Sequence, residues 1–262
     1  MKSAASRGNA ALVLHQARYD LRGFIRNRQA RFFTLALPLI FLVIFTGIFG
    51  KVVVDGVPLK MLYVPGISAM AVIAASFINL VISITVLREE GILKRRRATP
   101  VPAWVLIAGR TLMALAVAAA SVVLLLLVGR FAFHVHMPAK HIPGFAITAV
   151  VGSITFCVLA YAFSTAISNE DAAQPMVQAV MLPLYFISGI FIQPNALPSW
   201  LRQIAKVFPV QHLAHGLQHA FQPGTAGIGL NWSDLGALGI WAAIGVVVAL
   251  RRFSWLPKTA GA

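Results

Sequence analysis

Charge is what this chain has least of. Only 11% of its 262 residues are Asp, Glu, Lys or Arg, against about 25% in an ordinary soluble domain. Hydrophobic residues make up 59% and the mean hydropathy is +0.82, which excludes a water-soluble globular fold. Acidic residues are the scarcest: Asp20, Asp55, Glu89, Glu90, Glu170, Asp171 and Asp234. Each falls in a loop, at the end of an apolar run or in a tail. Carriers driven by protons or sodium use an ionisable or ion-coordinating group near the bilayer midplane, so this distribution argues against that class. No catalytic triad or carboxylate pair lies within an apolar run. The single cysteine, Cys157, sits inside an apolar run; one cysteine supports no disulfide framework, and it reads as a small buried hydrophobe. There is no G-x-x-x-x-G-K-[ST] phosphate loop, so the chain does not cradle ATP in that manner. If it moves something uphill, the energy enters from another chain.

What is present is apolar length. Charge-free runs cover 32–50, 61–87, 111–129, 142–169, 172–201 and 235–250. A helix needs about 20 residues to cross the hydrocarbon core. Five runs suffice, and the sixth extends outward through Trp232 and Ser233. Barrel strands are excluded because the runs do not alternate, and in lipid only helices or closed barrels satisfy their backbones. The expected spans are 32–50, 61–87, 103–129, 142–168, 172–192 and 232–250, forming one transmembrane domain over 32–252. Residues 1–31 are expected to be a cytoplasmic interfacial segment and 253–262 a cytoplasmic tail. The first run is too long, and too far from the start, for a cleavable signal.

The net charge of +15 raises the possibility of nucleic-acid binding, but its placement points to a membrane. With a cytoplasmic N-terminus, seven Lys and Arg before the first span, five in 88–102 and three after the last span fall inside. Arg110 lies near the inner end of the third span. Only Lys51, Lys60, Arg130, Lys140, Arg202 and Lys206 fall outside. This asymmetry places both termini in the cytoplasm of a multi-pass cell-membrane protein, with anionic lipid headgroups as partners of the basic excess.

Within 1–31, Leu14, Ala17, Leu21 and Phe24 recur at helical spacing while Arg18, Arg22 and Arg26 line another face. Such a helix lies in the membrane interface. Asp55-Gly56-Val57-Pro58 makes an outer turn between the first two spans. The outer loop at 130–141 carries His134, His136 and His141 without Cys, Asp or Glu, and reads as a wet loop rather than a metal site. The short Asn169-Glu170-Asp171 link folds spans four and five into an antiparallel hairpin. Pro38 and Pro183 are expected to kink their helices. Gln193-Pro194-Asn195 and Pro198 end the fifth helix near Ile192. Residues 199–220 then read as two short helices re-entering the outer leaflet. In the first, Trp200, Leu201, Ile204, Val207 and Phe208 interleave with Arg202, Gln203 and Lys206. The second, after Pro209, carries His212, His215 and His219. His215 and His219, four apart with no acidic neighbour in sequence, read as polar-face residues.

The second loop is the most charged segment. Glu89-Glu90-Gly91 opens a short helix with acids at its N-terminal end, Lys94-Arg95-Arg96-Arg97 follow, and Thr99-Pro100-Val101-Pro102 break it. It reads as a charged lever joined to two spans, or else as an ordinary basic cytoplasmic loop.

Taken in order, several segments resemble the membrane subunit of type 2 ABC transporters, the family of daunorubicin-resistance permeases. They are Tyr63-Val64-Pro65-Gly66, Arg88-Glu89-Glu90-Gly91 through Ala98-Thr99-Pro100-Val101, Ser188-Gly189-Ile190-Phe191-Ile192-Gln193-Pro194 and Leu197-Pro198-Ser199-Trp200-Leu201. The second is similar to the family's loop R-E-x-G-T-L-x-x-L-x-x-T-P, with Ile92 where Thr is common and Arg95-Arg96-Arg97 more basic than usual. Phe208-Pro209-Val210 stands where the family has N-P-L. The resemblance implies an all-α integral membrane fold with six transmembrane helices, an N-terminal interfacial amphipathic helix, a cytoplasmic coupling helix after span 2 and short re-entrant helices before span 6. It implies a dimer of permease subunits, identical or not, above two ABC ATP-binding subunits that hold ATP and Mg; none is expected on this chain. It further implies ATPase contacts through Arg18, Arg22, Arg26, Glu89, Glu90, Gly91, Lys94, Arg95 and Arg96. Phe77, Asn79, Ser83, Met181, Tyr185 and Phe186 are implied for the substrate path. The competing readings are a self-sufficient secondary transporter or channel, and a sensory or scaffolding membrane protein.

Overall fold

The computed structural model describes residues 2–54, 56–92, 102–136, 138–222 and 224–252. Helix α1, Lys2–Arg26, buries Ala17 and Phe24 and leaves Arg18, Arg22 and Arg26 exposed. Leu14, expected in the apolar stripe, is 47% exposed, because the packed face turns towards Gln16, Ala17 and Asp20. The helix stops at Asn27, whose backbone is extended and whose side chain accepts from the Ala30 N–H at 2.9 Å. That cap starts the next helix at an elbow.

Helix α2, Arg28–Phe49, contains a π turn over Phe32–Ala36, in which the Leu37 N–H reaches back to the Phe32 carbonyl. The cause is Pro38. It has no N–H for the Thr34 carbonyl and its ring would crowd that group, so the wider turn absorbs the mismatch and stands where a kink was expected. A small hairpin follows, β1 (Val53–Val54) against β2 (Val57–Pro58), antiparallel, with Gly56 at φ +77° supplying the left-handed position.

Helix α3, Lys60–Glu89, is the axis of the bundle. It is buried continuously from Tyr63 to Ile78 and has its own π turn at Ala74–Ile78. Around it pack α2, α4 (Ala103–Phe133) and α5 (Ile142–Ser164). At 31 residues, α4 runs about 46 Å at 1.5 Å per residue, outlasting the expected end at 129. It stops at His134, which takes the left-handed conformation at φ 55°. α1 lies along α4, and Gly109 permits the approach: a Cβ there would stand 2.7 Å from Gln16 Cγ.

Helix α5 ends earlier than expected and α6, Glu170–Ile187, begins earlier; the two do not pack as the expected antiparallel hairpin, and α6 lies instead against the 79–89 end of α3. Ser164 and Thr165 bond back to the carbonyls of Tyr161 and Ala162, competing with helix continuation. Asn169 then caps α6 by accepting from the Ala172 N–H at 2.8 Å, with Glu170 and Asp171 in its favourable first turn. α6 gives out at Gly189, φ +84°, before the expected Ile192.

Two short helices, α7 (Ser199–Ala205) and α8 (Pro209–His219), precede the last, α9 (Trp232–Arg252). Among the described residues five helices are long and apolar enough to cross a membrane: Arg28–Phe49, Lys60–Glu89, Trp104–Phe133, Ala139–Ser164 and Trp232–Arg252. α6 is not among them. Its 18 residues include Glu170, Asp171, Gln174 and Gln178, which lower its hydropathy.

Candidate functional site

Where α1, α2, α3, α4 and the first turns of α6 meet, the chain forms a half-open cavity of ≈ 660 Å³. Phe24, Phe33, Ile78 and Met113 give it apolar walls, and Asn79, Ser83, Asp20 and Arg110 give it polar ones. Both π turns contribute to the lining, Phe33 and Thr34 from the first and Ala74, Ala75 and Ile78 from the second. Volume and lining match a small-molecule site, mostly apolar with a few convergent polar groups.

The polar side of that wall is an ion pair. Arg110, 6% exposed, places Nε 3.7 Å from Asp20 Oδ2 and donates from Nη1 to Ser83 Oγ at 3.2 Å. Gln16 donates to the same Asp20 oxygen at 2.8 Å. One cluster therefore ties the first helix to α3 and α4. A charge inside an apolar helix survives only with its partner, because breaking a buried pair leaves an uncompensated ion. In the sequence Arg110 reads as one more inside positive charge and Asp20 as a residue of the basic tail. The signal available was the position of Arg110, seven residues into an apolar helix.

A second buried arginine stands at the loop junction. Arg88, 2% exposed, donates to the carbonyls of Ser164 at 3.0 Å and Ile167 at 2.8 Å, and to Glu89 Oε1 at 2.8 Å. It satisfies carbonyls left open by the end of α5. Glu89 is thus held against Arg88, Glu90 is exposed as the C-cap of α3, and Gly91 turns the chain at φ +69°. Lys94, Arg95 and Arg96 lie outside the described residues.

The expected path residues do not converge. Asn79 and Ser83 line the cavity. Phe77 is buried between spans, its ring 6.1 Å from Phe156 and 5.4 Å from Phe163. Met181 and Tyr185 are buried, and the Tyr185 hydroxyl has no hydrogen-bond partner among the described residues. Phe186 is exposed, with its ring 5.3 Å from Phe191. Phe191 also meets Phe41 and Phe45 of α2.

His141, His212 and His215 have found partners. His212 and His215 of α8 approach the two oxygens of Asp234, at 2.9 and 2.7 Å, so the acidic group missing nearby in sequence comes from the last helix. The hydrogen bond to Asp234 raises the pKa of each histidine above its ordinary value, against the opposing effect of burial. The ring of His141 is held between the carbonyls of Ala220 and Thr225 at 2.8 and 3.2 Å. Among the described residues no group of three His, Cys, Asp or Glu is placed to hold a metal ion. Gln218 donates to the carbonyls of Gly189 at 2.8 Å and Leu62 at 3.3 Å, binding α8 to the end of α6 and the start of α3.

A bundle with five helices, among the described residues, long and apolar enough to cross a membrane defines a multi-pass membrane protein. The chain belongs to the ABC-2 type transporter family, which matches residues 13–221. It is similar to the daunorubicin resistance ABC transporter permease protein DrrB1 of Streptomyces coeruleorubidus, 28% identical over 196 residues, 73% of this chain and 68% of that protein. It is also similar to the probable multidrug ABC transporter permease YbhR of Escherichia coli K12, 24% identical over 176 residues, 67% of this chain and 47% of that one. Membership makes the chain a transmembrane subunit, distinct from the ATPase, and implies an ABC ATP-binding partner.

Proposed function

We propose that the chain is the permease subunit of an exporter that carries a hydrophobic or amphiphilic substrate out of the cytoplasm. That class includes drug-like molecules, lipids and glycan precursors. The observation that carries the reading is the family match, which runs from α1 through α8, and the names of both relatives, a daunorubicin-resistance and a multidrug permease, support a drug-like substrate. In this reading two permease subunits sit in the cell membrane over two ATP-binding subunits, with both termini cytoplasmic and α6 as a further crossing helix. Arg18, Arg22 and Arg26, with Glu89, Glu90, Gly91, Lys94, Arg95 and Arg96, face the ATPase. ATP closes the ATP-binding subunits and moves the loop around Glu90. Arg88, anchored on the end of α5, passes that movement to α5 and the turn into α6, and the subunits part outward. Such coupling requires two states that differ in their contacts with both ATP and substrate.

The test is to purify the tagged chain from its native membrane and reconstitute what co-purifies into proteoliposomes. A phosphate-loop ATPase in fixed ratio, lost when residues 88–97 are replaced, together with ATP-dependent movement of an amphiphilic dye, is the expected result. Dye movement by the chain alone without ATP would instead establish a self-sufficient carrier.

A further inference from the structure

The cavity beside α1 has a wall whose charge is cancelled from within. Asp20 and Arg110 are both nearly buried, at 9% and 7% side-chain exposure, and face each other at 3.7 Å. The guanidinium spends a further hydrogen bond on Ser83, and the carboxylate accepts another from Gln16. Beside them the Asn79 amide is half-buried and makes no side-chain hydrogen bond among the described residues, while lining the same space. Ser83 accepts from Arg110 and keeps its own hydroxyl proton to donate. The remaining ionisable lining groups are Tyr19, on α1, and Glu170 and Asp171 in the first turn of α6. Glu170 and Asp171 are exposed, and water and salt screen them.

A charged ligand group entering such a space gives up its hydration and finds the matching countercharge already engaged. An uncharged polar group needs only hydrogen bonds, which Asn79 and Ser83 supply. We propose that this cavity, formed within one subunit, binds uncharged amphiphiles, and that the Asp20–Arg110 pair sets its selectivity against charge. The polar end of the ligand meets Asn79 and Ser83, and the apolar body lies on Phe24, Phe33, Ile78 and Met113. The inference rests on the permease reading and specifies its substrate class.

The test uses the whole complex, permease with its ATP-binding partner, in nanodiscs without nucleotide. Three fluorescent probes share one nitrobenzoxadiazole-labelled dodecyl body and end in hydroxyl, ammonium or carboxylate. Wild type is expected to bind the alcohol tightest and the carboxylate weakest. Asp20→Asn leaves Arg110 without its countercharge and is expected to move the carboxylate-to-alcohol affinity ratio up by about tenfold or more, the scale of one partly screened charge. Arg110→Gln is expected to move the ammonium-to-alcohol ratio up by a similar factor. A merely structural pair would weaken all three probes together. Ratios that stay fixed, or that shift the same way in both variants, overturn the proposal. Should either variant fail to assemble, Asn79→Leu decides: it is expected to lose alcohol binding at least about tenfold, and unchanged binding overturns the chamber. ATP-driven movement of the alcohol probe in proteoliposomes is scored separately. Binding without movement refutes the permease reading and spares the chamber, and movement without cavity-dependent binding does the reverse.

Discussion

Arg88 Nη2 donates to the carbonyl of Ile167 at 2.8 Å, fastening the Glu89 end of α3 to the turn between α5 and α6. Because the guanidinium is buried and also holds the Ser164 carbonyl, its removal strips two buried acceptors at once. Arg88→Ala is expected to destabilise the folded subunit by about 2–4 kcal/mol, from hydrogen bonds to a charged group and the unsatisfied carbonyls left behind. Thermal unfolding of the detergent-solubilised protein checks this, and a Tm within error of wild type would show that the ties are not needed.

Glu90 is exposed next door, and its side chain makes no hydrogen bond or ion pair among the described residues. Glu90→Lys is therefore expected to leave insertion and assembly intact while lowering substrate moved per ATP hydrolysed by about tenfold, within the span of usual coupling energies. Simultaneous measurement of ATPase and transport in proteoliposomes reads this ratio. Unchanged coupling removes Glu90 from the mechanism.

Gly109 admits α1 to the surface of α4. A larger side chain has Gln16 Cγ and Cβ in its way, at 2.7 and 2.8 Å from a bare Cβ. Gly109→Val is expected to cost about 1–3 kcal/mol of overpacking and to loosen α1, seen as faster proteolysis within 8–26 and faster hydrogen exchange there. Protection equal to wild type would mean that the helix yields without leaving its seat.

The clasp of His212 and His215 on Asp234 gives α8 and the start of α9 a pH dependence of known sign. Both histidines have raised pKa values through their hydrogen bonds to Asp234. The stabilisation is then fully present below the unfolded value of about 6.5 and is lost as pH rises through the higher folded values. The surrounding groups are His219, whose ring lies 6.5 Å from that of His215, and the Lys206 carbonyl, which faces His212 at 2.9 Å. Protection factors in α8, exchange rates corrected for the intrinsic base catalysis at each pH, are expected to fall from pH 6 to pH 9, with that fall abolished in Asp234→Asn. Protection factors that are flat across that range would count against the clasp.

What the sequence makes legible follows from what drives each feature. Long apolar runs announce α2, α3, α4, α5 and α9 because water excludes them, whatever their neighbours. The elbow at Asn27, the cap at Asn169 and the end of α6 at Gly189 rest on groups acting within four residues, but apolar runs hide them, which is why the expected bounds of 1–31 and 172–192 differ from those observed. The Asp20–Arg110 contact and the His212–Asp234 clasp join residues far apart in the chain, and composition carries no record of which charge meets which. Arg88 shows the boundary between the two cases. The order of segments marks Arg88-Glu89-Glu90-Gly91 as a unit, yet the arginine turns back to Ser164 and Ile167, while Glu90 stays outside. Phe77 shows the converse, an aromatic on the expected path whose ring is taken up by Phe156 and Phe163.

The two π turns have a practical consequence for finding the residues that face the substrate. A π turn takes about 4.4 residues where an α turn takes 3.6, so each one lets the helix fall behind its own periodicity by nearly a full residue. A helical wheel drawn straight through 28–49 or 60–89 assigns faces correctly up to Phe32 or Ala74 and is out of phase beyond. A substituted-cysteine scan over the 79–89 end of α3 should therefore find its accessible positions one residue away from those a wheel counted from Tyr63 assigns. The face that Asn79 then occupies is the one to align on.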